Sequence, residues 1–281
     1  MIPAQFDYEV AESVDHAVSL LGQHADAKLL AGGHSLLPLM KLRLAAPAML
    51  IDIGRLDDLK GVSGDGDALA IGALTCHADV AGDALIQQHC GVLADAAAQI
   101  GDAQVRHCGT IGGSVAHADP ASDLPTVLLA LDAELVATGP NGERTIPIGE
   151  FFQGFFESAL ADDEILTQIR VPKHDGHGGA YLKFHQRSQD WAIVGAAAVV
   201  SSSNGSIDTA KIALTNMAET PVRASAVEAA LMGASHGAIA SAAASAADGT
   251  EPPDDTFASA DYRRHLAPVI VRRAVEAALA G

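Results

Sequence analysis

The chain has 281 residues, of which 49% are hydrophobic, so it is long enough for one large domain or two ordinary ones. Its formal net charge is −18, from 35 acidic and 17 basic residues, and no Lys/Arg cluster is large enough to form a basic face. This composition excludes a nucleic-acid-binding protein. The pairs Arg263-Arg264 and Arg272-Arg273 are predicted to be exposed helix residues.

The cysteines, the first residues and the longest apolar run bear on cellular location. Cys76, Cys90 and Cys108 have no CxxC spacing, so they indicate no zinc or iron–sulfur site and suit a reducing compartment. The first residues lack the layout of a signal peptide, and the longest apolar run, residues 192–200, is too short to span a bilayer. We expect a cytoplasmic protein without a transmembrane segment, which can still associate with the inner face of a membrane through a partner.

The first 55 residues carry the pattern of a small α/β unit. Ser13 is the predicted N-cap of a first helix that ends at Gly22, and the strand after it runs directly into Gly32-Gly33. The predicted helix, strand, helix and strand occupy residues 13–22, 28–31, 35–44 and 49–53.

The central region, up to about residue 175, mixes short helices and strands. One helix is predicted to begin at Thr75 as N-cap and another at Pro125 in the N1 position, with an amphipathic helix at residues 84–99 between them. The predicted strands are residues 69–73, 133–138, 144–148 and 165–171, of which the second and third form a hairpin.

A turn-rich stretch at residues 173–179 is the predicted domain boundary, and its His174 and His177 are expected to be solvated. From about Ala224 onwards the chain is predicted to be Ala-rich helix. Between these regions lies a predicted strand at residues 180–186. It is followed by a predicted hairpin of residues 192–201 and 206–214, which turns at residues 204–205.

Two diglycine segments carry the chemistry that the residues indicate. Ala31-Gly32-Gly33-His34-Ser35 and Thr110-Ile111-Gly112-Gly113-Ser114 are both expected to follow apolar strands. Glycine permits a positive φ and removes the Cβ that blocks a close ligand, and successive N–H groups at a helix N-terminus form an anion site. Neither segment matches GxxxxGK[ST] or GxGxxG. Each alone is more often a structural turn, but together they suit a diphosphate held from both sides.

Polar residues follow the second segment at a spacing suited to sugar hydroxyls. They are Asp119, Ser122 and Asp123, although Asp123 has even odds of serving as a helix cap before Pro125, and His117 lies beside the same segment. No HExxH, GxSxG or paired carboxylates occur. We therefore expect no metal site and no catalytic side chain, and a cofactor held by the protein.

The sequence resembles the FAD-binding medium subunits of molybdenum hydroxylases, especially the carbon monoxide dehydrogenase branch of that family. Besides the two diglycine segments, Lys41-Leu42-Arg43-Leu44-Ala45 and Leu214-Thr215-Asn216 carry the resemblance, which runs nearly from end to end. It implies an α+β fold with a vanillyl-alcohol-oxidase (PCMH-type) FAD-binding domain at residues 1–175, divided into subdomains of about residues 1–55 and 56–175. It also implies a C-terminal domain, residues 178–281, with a three-stranded antiparallel sheet and helices.

The resemblance further implies which residues bind FAD. The diglycine segments would hold the diphosphate, with Ser114 where the family often has Asn, and Asp123 would lie near the ribityl chain. Ile100 would touch the isoalloxazine, and Ile165 or Leu166 would line the adenine end. Lys183 would come from the C-terminal domain, and Trp191, where the pattern has Tyr, would cover the ring. The full set implied is Lys28, Leu29, Leu30, Ala31, Gly32, Gly33, His34, Ser35, Leu36, Ile100, Thr110, Ile111, Gly112, Gly113, Ser114, His117, Asp119, Ser122, Asp123, Ile165, Leu166, Lys183 and Trp191.

The function implied by the resemblance is electron transfer rather than oxidation of the primary substrate. A large subunit would carry the molybdenum cofactor and a small subunit the [2Fe-2S] clusters, in a dimer of heterotrimers, and this chain would pass electrons from the clusters through FAD to a quinone or another acceptor. Three alternatives stay open. They are a related hydroxylase acting on an N-heterocycle, an aldehyde or an aromatic CoA thioester, a stand-alone flavin oxidoreductase, and a non-catalytic nucleotide-binding module.

Overall fold

The computed structural model describes residues 2–281, and the N-terminal part of the chain forms a three-stranded parallel sheet. Its elements are strand β1 (Asp7–Val10), helix α1 (Val14–Gln23), strand β2 (Ala27–Leu30), helix α2 (Leu36–Leu42) and strand β3 (Met49–Asp52). Strand β3 lies between β1 and β2 and is parallel to both. Ser13 caps α1 by accepting a hydrogen bond of 3.0 Å from the His16 N–H. The predicted α/β unit and its cap are confirmed.

The central region contains a five-stranded antiparallel sheet in the order β4-β5-β10-β6-β7 and a small β8–β9 hairpin. The strands are β4 (Val62–Asp65), β5 (Ala68–Gly72), β6 (Glu134–Gly139), β7 (Gly142–Pro147), β8 (Phe152–Gly154), β9 (Glu157–Ser158) and β10 (Ile165–Pro172). The helices are α3 (His77–Gly82), α4 (Ala84–His89), α5 (Gly91–Ala98), α6 (Ala103–Arg106), α7 (Ile111–His117) and α8 (Asp123–Ala130). The predicted β6–β7 hairpin is confirmed.

Three predicted helix boundaries in this region are wrong, each for a local reason. The helix predicted at residues 84–99 is divided between α4 and α5 at Cys90, whose backbone is not helical and whose Sγ lies 3.4 Å from the Pro172 carbonyl oxygen. Thr75 does not cap α3, because its hydroxyl bonds to the backbone of Gly61 instead. Pro125 is the third residue of α8 rather than the first, since α8 begins at Asp123.

The C-terminal region is an antiparallel sheet in the order β11-β12-β13-β14, followed by helices. It comprises β11 (Gly178–Phe184), β12 (Val194–Ser203), β13 (Ser206–Thr215), β14 (Val222–Arg223), α9 (Ser225–Leu231), α10 (Ile239–Ala243) and α11 (Ala260–Ala280). The three long strands are the expected ones, and β14 adds two residues. Asn204 and Gly205 turn the hairpin with φ values of 52° and 79°, as a two-residue turn requires.

Two expectations for the C-terminal region differ from the structure. The helix expected from residue 224 onwards is interrupted between α10 and α11, where Gly249 has a φ of 70° and Pro252 and Pro253 follow. His174, expected to be solvated, is half-buried with its Nε2 3.1 Å from the Leu131 carbonyl oxygen. No helix within residues 2–281 has both the length and the apolar character needed to cross a membrane.

The C-terminal sheet is buried on both faces, which joins it to the central region. Tyr181, Ala197 and Val199 on one face belong to the same apolar core as α5, α8 and the five-stranded sheet. The other face packs against α9, α10 and α11 in a separate core. Because one core is continuous across the predicted boundary, side chains from both sides of it can meet around one ligand.

Arg263 is buried, contrary to the prediction that both arginines of the pair are exposed. Its Nη2 donates to Asp255 at 2.6 Å, its Nε donates to the Pro253 carbonyl at 3.0 Å, and Nη1 donates to the Ile193 carbonyl. Arg264 is exposed and pairs with Asp261 one turn away. Arg263 therefore fastens α11 to the segment before it and to the start of β12.

Replacing Arg263 by Ala is expected to lower the free energy of unfolding by about 3–5 kcal/mol, because the buried Ile193 carbonyl, the partly buried Pro253 carbonyl and Asp255 lose their donor. The neighbouring Arg264→Ala variant is the matched control and should change it by less than about 0.5 kcal/mol. Urea denaturation of both variants checks this. Equal losses in the two variants would contradict the structural role of Arg263.

Candidate functional site

The first diglycine segment connects β2 to α2 and exposes unpaired backbone donors. Gly33 has a φ of 72°, a conformation that residues with a side chain rarely adopt. The N–H groups of Gly33, His34 and Ser35 donate to no acceptor within the described residues 2–281. His34 is exposed and Ser35 is half-buried, and the Ser35 side chain makes no capping bond to α2. These three N–H groups are available to an anionic ligand.

The second diglycine segment lies in the first turn of α7, and the prediction that it follows a strand is wrong. Thr110 is the N-cap, and its hydroxyl accepts from the Gly113 N–H at 3.1 Å. Gly112 donates to the Ala73 carbonyl and Ser114 to the Thr110 carbonyl, at 2.9 and 3.0 Å. The backbone donors of this segment are therefore already paired. What it offers a ligand is the exposed, side-chain-free surface of Gly113 and the half-buried hydroxyl of Ser114.

The two segments lie against each other through glycines. A methyl group on Gly32 would fall 2.1 Å from the Cys108 carbonyl oxygen, so Gly32 is required by contact with the backbone before the second segment. A methyl group on Gly113 would lie 4.0 Å from the Ala31 Cβ. One on Gly112 would fall 2.6 Å from the Ala73 carbonyl oxygen. Gly32 and Gly112 thus serve close packing within the protein. Gly113 is exposed to solvent, although a methyl group there would also fall 2.7 Å from the Thr110 Oγ1 of its own N-cap.

The polar residues after α7 are partly withdrawn from solvent. His117 stacks on Phe156 with ring centroids 4.9 Å apart, and burial lowers its pKa. Burial raises the pKa of Asp119, which accepts from the Ala121 N–H at 2.9 Å. Ser122 is buried and its hydroxyl caps nothing.

Asp123 and Lys183 form a buried ion pair between α8 of the central region and the C-terminal sheet. Lys183 Nζ lies 2.8 Å from Asp123 Oδ2, and Tyr181 donates its hydroxyl to Oδ1 at 2.6 Å. Burial raises the pKa of Asp123, and the Lys183 ammonium and the Tyr181 hydroxyl act against that rise. The carboxylate makes these contacts instead of capping α8. The helix cap that the sequence left open as a role for Asp123 is therefore not observed.

A cavity of about 360 Å³ lies where the α5–α6 region meets the end of β11. A methyl group on Gly101 would fall 2.5 Å from the Gln189 Cα, so the two sides touch at this point. Arg106, Lys183 and His185 line the cavity. Arg106 Nη1 also holds the Ile100 carbonyl at 2.6 Å. Arg106 and His185 are not among the predicted site residues, although each lies only a few residues from a predicted one, Ile100 or Lys183, and this short spacing is the signal that could have found them.

The remaining predicted residues are dispersed around this centre. Ile165 is buried in the core shared with α1 and the parallel sheet, and Leu166 is buried in the core of the five-stranded sheet. Lys28 is exposed, and Trp191 is 58% exposed, two residues beyond Gln189 of the cavity. Their roles at the adenine and the flavin ring stay predictions.

His77 is a buried histidine behind the second segment that the sequence analysis also missed. Its Nδ1 has no hydrogen-bond partner within residues 2–281, and a methyl group on Gly109 would fall 2.9 Å from its Cδ2. Burial lowers the pKa of His77 to about 4, and nearby His34 adds to the effect. The ring is therefore neutral at neutral pH.

Comparison with known families identifies the two parts of this fold. The FAD binding domain in molybdopterin dehydrogenase matches residues 4–174, and the CO dehydrogenase flavoprotein C-terminal domain matches residues 179–278. The chain belongs to this flavoprotein family. The α+β fold and FAD as the cofactor, both expected from the sequence, are thereby confirmed.

Individual relatives of this flavoprotein cover its whole length. The chain is 43% identical to the carbon monoxide dehydrogenase medium chain of Hydrogenophaga pseudoflava, over 100% of this chain and 99% of the relative. It is 40% identical to subunit alpha of the 6-hydroxypseudooxynicotine dehydrogenase complex of Paenarthrobacter nicotinovorans, over 99% of this chain and 96% of the relative. The solved carbon monoxide dehydrogenase of H. pseudoflava matches with a TM-score of 0.97 and 46% identity. The match covers 100% of this chain and 99% of the solved chain. The solved quinoline 2-oxidoreductase of Pseudomonas putida 86 matches with a TM-score of 0.95 and 30% identity. The match covers 100% of this chain and 99% of the solved chain.

The residues of the site fit a flavin dinucleotide. Unpaired N–H groups at Gly33, His34 and Ser35 suit the diphosphate, and the bare surface of Gly113 admits it closely. The cavity beside Lys183 and Arg106 suits a ring that gains negative charge on reduction. In the described part of the chain, no three His, Cys, Asp or Glu side chains are grouped to hold a metal ion.

Gly32→Ala is expected to weaken FAD binding at least about tenfold, because the new methyl group forces the first segment away from the second. Gly149→Ala is the matched control, since a methyl group there meets nothing within 4 Å. Quenching of FAD fluorescence on titration with each variant measures the dissociation constant. Wild-type affinity in Gly32→Ala would show that the contact between the segments is not needed.

His77 is expected to make the protein acid-sensitive. Because its folded pKa of about 4 lies below the ordinary 6.5, its contribution to stability is present above pH 6.5 and is lost as pH falls towards 4. The loss amounts to about 3 kcal/mol. Urea denaturation between these pH values measures the free energy of unfolding. As pH falls, this free energy should decline less in His77→Gln than in the wild type or in the exposed control His236→Gln. Identical declines in all three proteins would refute this role.

Proposed function

We propose that this chain is the FAD-carrying medium subunit of an aerobic carbon monoxide dehydrogenase. The observation that carries the proposal is the end-to-end identity of 43% with the carbon monoxide dehydrogenase medium chain of H. pseudoflava. The buried Asp123–Lys183 pair beside the cavity supports it, because it provides a fixed charge where a flavin ring would sit.

We further propose how the residues of the chain divide the work of holding the cofactor, and the geometry of the site supports this division. FAD, when bound, supplies the capacity to accept and release electrons one or two at a time. The N–H groups of Gly33, His34 and Ser35 would bind the diphosphate, and the Ser114 hydroxyl would donate a further hydrogen bond to the cofactor. Lys183 and Arg106 place positive charge at the wall of the ring cavity. Asp123 fixes Lys183, and Trp191 shields the exposed side of the ring. The other residues of the predicted set complete the binding surface along the cofactor.

The partners and the domain division belong to the same proposal. A large subunit with the molybdenum cofactor and a small subunit with [2Fe-2S] clusters deliver the electrons, since the relatives are subunits of multi-subunit dehydrogenases. We propose a dimer of heterotrimers in the cytoplasm, associated with the inner membrane face where a quinone accepts the electrons. The FAD-binding domain is residues 1–175, with subdomains of about residues 1–55 and 56–175, and the C-terminal domain is residues 178–281.

A second candidate is the corresponding subunit of a hydroxylase that acts on an N-heterocyclic or related compound. The 40% identity with the 6-hydroxypseudooxynicotine dehydrogenase subunit nearly equals the 43% identity with the carbon monoxide dehydrogenase chain. Both candidates share the FAD site and the partner subunits, because the primary substrate binds in another chain. They differ only in which compound reduces the flavin.

Purification of the native complex through a tag on this chain tests the proposal. We expect two further subunits, molybdenum and iron, and bleaching of the flavin absorbance under carbon monoxide. The isolated chain reconstituted with FAD should be yellow and unreactive towards carbon monoxide. Bleaching by an N-heterocycle and not by carbon monoxide would favour the second candidate. Turnover by the isolated chain would favour a stand-alone oxidoreductase, and a colourless chain that ignores added FAD would refute the flavoprotein role.

A further inference from the structure

A buried hydrogen-bond network extends from Asp123 through the C-terminal sheet and back to α8. Tyr181 donates to Asp123 at 2.6 Å, and its hydroxyl oxygen lies 3.1 Å from Thr215 Oγ1. Thr215 in turn donates to Thr126 at 2.9 Å. Asp123 and Thr126 lie on α8, whereas Tyr181 and Thr215 lie on β11 and β13. All four residues are less than 9% exposed, so the network stabilises the contact between the two regions away from water.

Gly195 leaves the space that this network occupies. It lies on β12, paired with Lys183 on one side and Thr215 on the other. A methyl group on Gly195 would fall 2.6 Å from the Tyr181 hydroxyl oxygen and 2.9 Å from Thr215 Oγ1. A glycine inside a long buried strand weakens that strand unless another group needs the space. Here the two hydroxyls need it, so the network is a built feature of the sheet.

The network bears on the cavity through Lys183. Asp123 is the ion-pair partner of Lys183, whose side chain is 3% exposed and lines the cavity wall. Tyr181 and Lys183 are two residues apart on β11, so they point to the same side of the strand and reach the two oxygens of one carboxylate. The Tyr181 hydroxyl therefore determines where the carboxylate lies, and the carboxylate determines where the ammonium lies.

We propose that Tyr181 is a positioning residue that acts through Asp123 to fix the charge of Lys183 at the flavin cavity. This inference rests on the proposed function only for the presence of the flavin; the network itself is a property of the chain. Three groups face the Asp123 carboxylate: Lys183, Tyr181 and His185. All three act to lower the pKa of Asp123, against the burial that raises it. Without the Tyr181 hydroxyl, that pKa rises further.

The first test uses the chain without FAD. Because the folded pKa of Asp123 lies above its unfolded value, its ionisation costs stability as pH rises. Tyr181→Phe should increase that cost, so its melting temperature should fall by about 3–10 °C at pH 7 and by clearly less at about pH 4.5. In an Asp123→Asn background, the same substitution should lose this pH dependence. Gly195→Ala, which displaces the hydroxyl without removing it, should act in the same direction.

The control for this test is Tyr262→Phe, at a tyrosine that is 45% exposed, and it should leave the melting temperature unchanged at both pH values. A Tyr181→Phe effect that is equal at both pH values, or that persists unchanged in the Asp123→Asn background, would overturn the proposal. Such a result would make Tyr181 a packing residue. Since this test needs no cofactor, it decides the role of Tyr181 even if the chain binds no FAD.

The second test measures the midpoint potential of bound FAD as a function of pH. In Tyr181→Phe, Asp123 takes up a proton at a higher pH than in the wild type, and Lys183 loses its counter-charge. The added positive charge favours the reduced flavin, so the potential should exceed the wild-type value in the pH range between the two Asp123 pKa values and should match it where Asp123 has the same protonation state in both proteins. If a variant that retains FAD has the wild-type potential at every pH, the network does not affect the flavin. That result would overturn the claim that Tyr181 fixes the charge at the flavin cavity.

Discussion

The backbone of the first diglycine segment touches the backbone that leads into the second, and much of the site depends on this contact. Gly32 lies so close to the Cys108 carbonyl that no side chain fits, and Gly112 lies almost as close to Ala73. Within the described residues, the first segment has unpaired N–H groups at residues 33–35, and the second has the exposed surface of Gly113. The glycines are thus required first for packing, and the open surface that a diphosphate needs results from that packing.

The C-terminal sheet completes the site because its core is continuous with that of the FAD-binding region. This continuity places Lys183 and Tyr181 against Asp123, in surroundings where charges are costly unless they are paired. The pair belongs to neither region alone. The proposed flavin cavity therefore lies between two packed units, and the charge at the cavity wall depends on hydrogen bonds from both of them.

Local patterns in the sequence predicted most elements, and packing decided the rest. The α/β unit with its Ser13 cap and the hairpin at Asn204-Gly205 follow from signals within a few residues, and the structure contains both. The division at Cys90 and the burial of Arg263 depend on residues distant in sequence, Pro172 and Ile193. Likewise, the two diglycine segments were recognisable as a pair, but their unequal roles were not. Whether an N–H group is free depends on partners such as Ala73, which no local pattern reveals.

Amide hydrogen exchange with and without FAD tests the account most directly, because it reports on individual N–H groups. One equivalent of FAD should strongly slow exchange at residues 33–35, whose N–H groups have no partner within residues 2–281. Residues 112–114 should change little, since their N–H groups are already hydrogen-bonded. Unchanged exchange at residues 33–35 in a chain that has bound FAD would contradict the claim that the first segment holds the diphosphate.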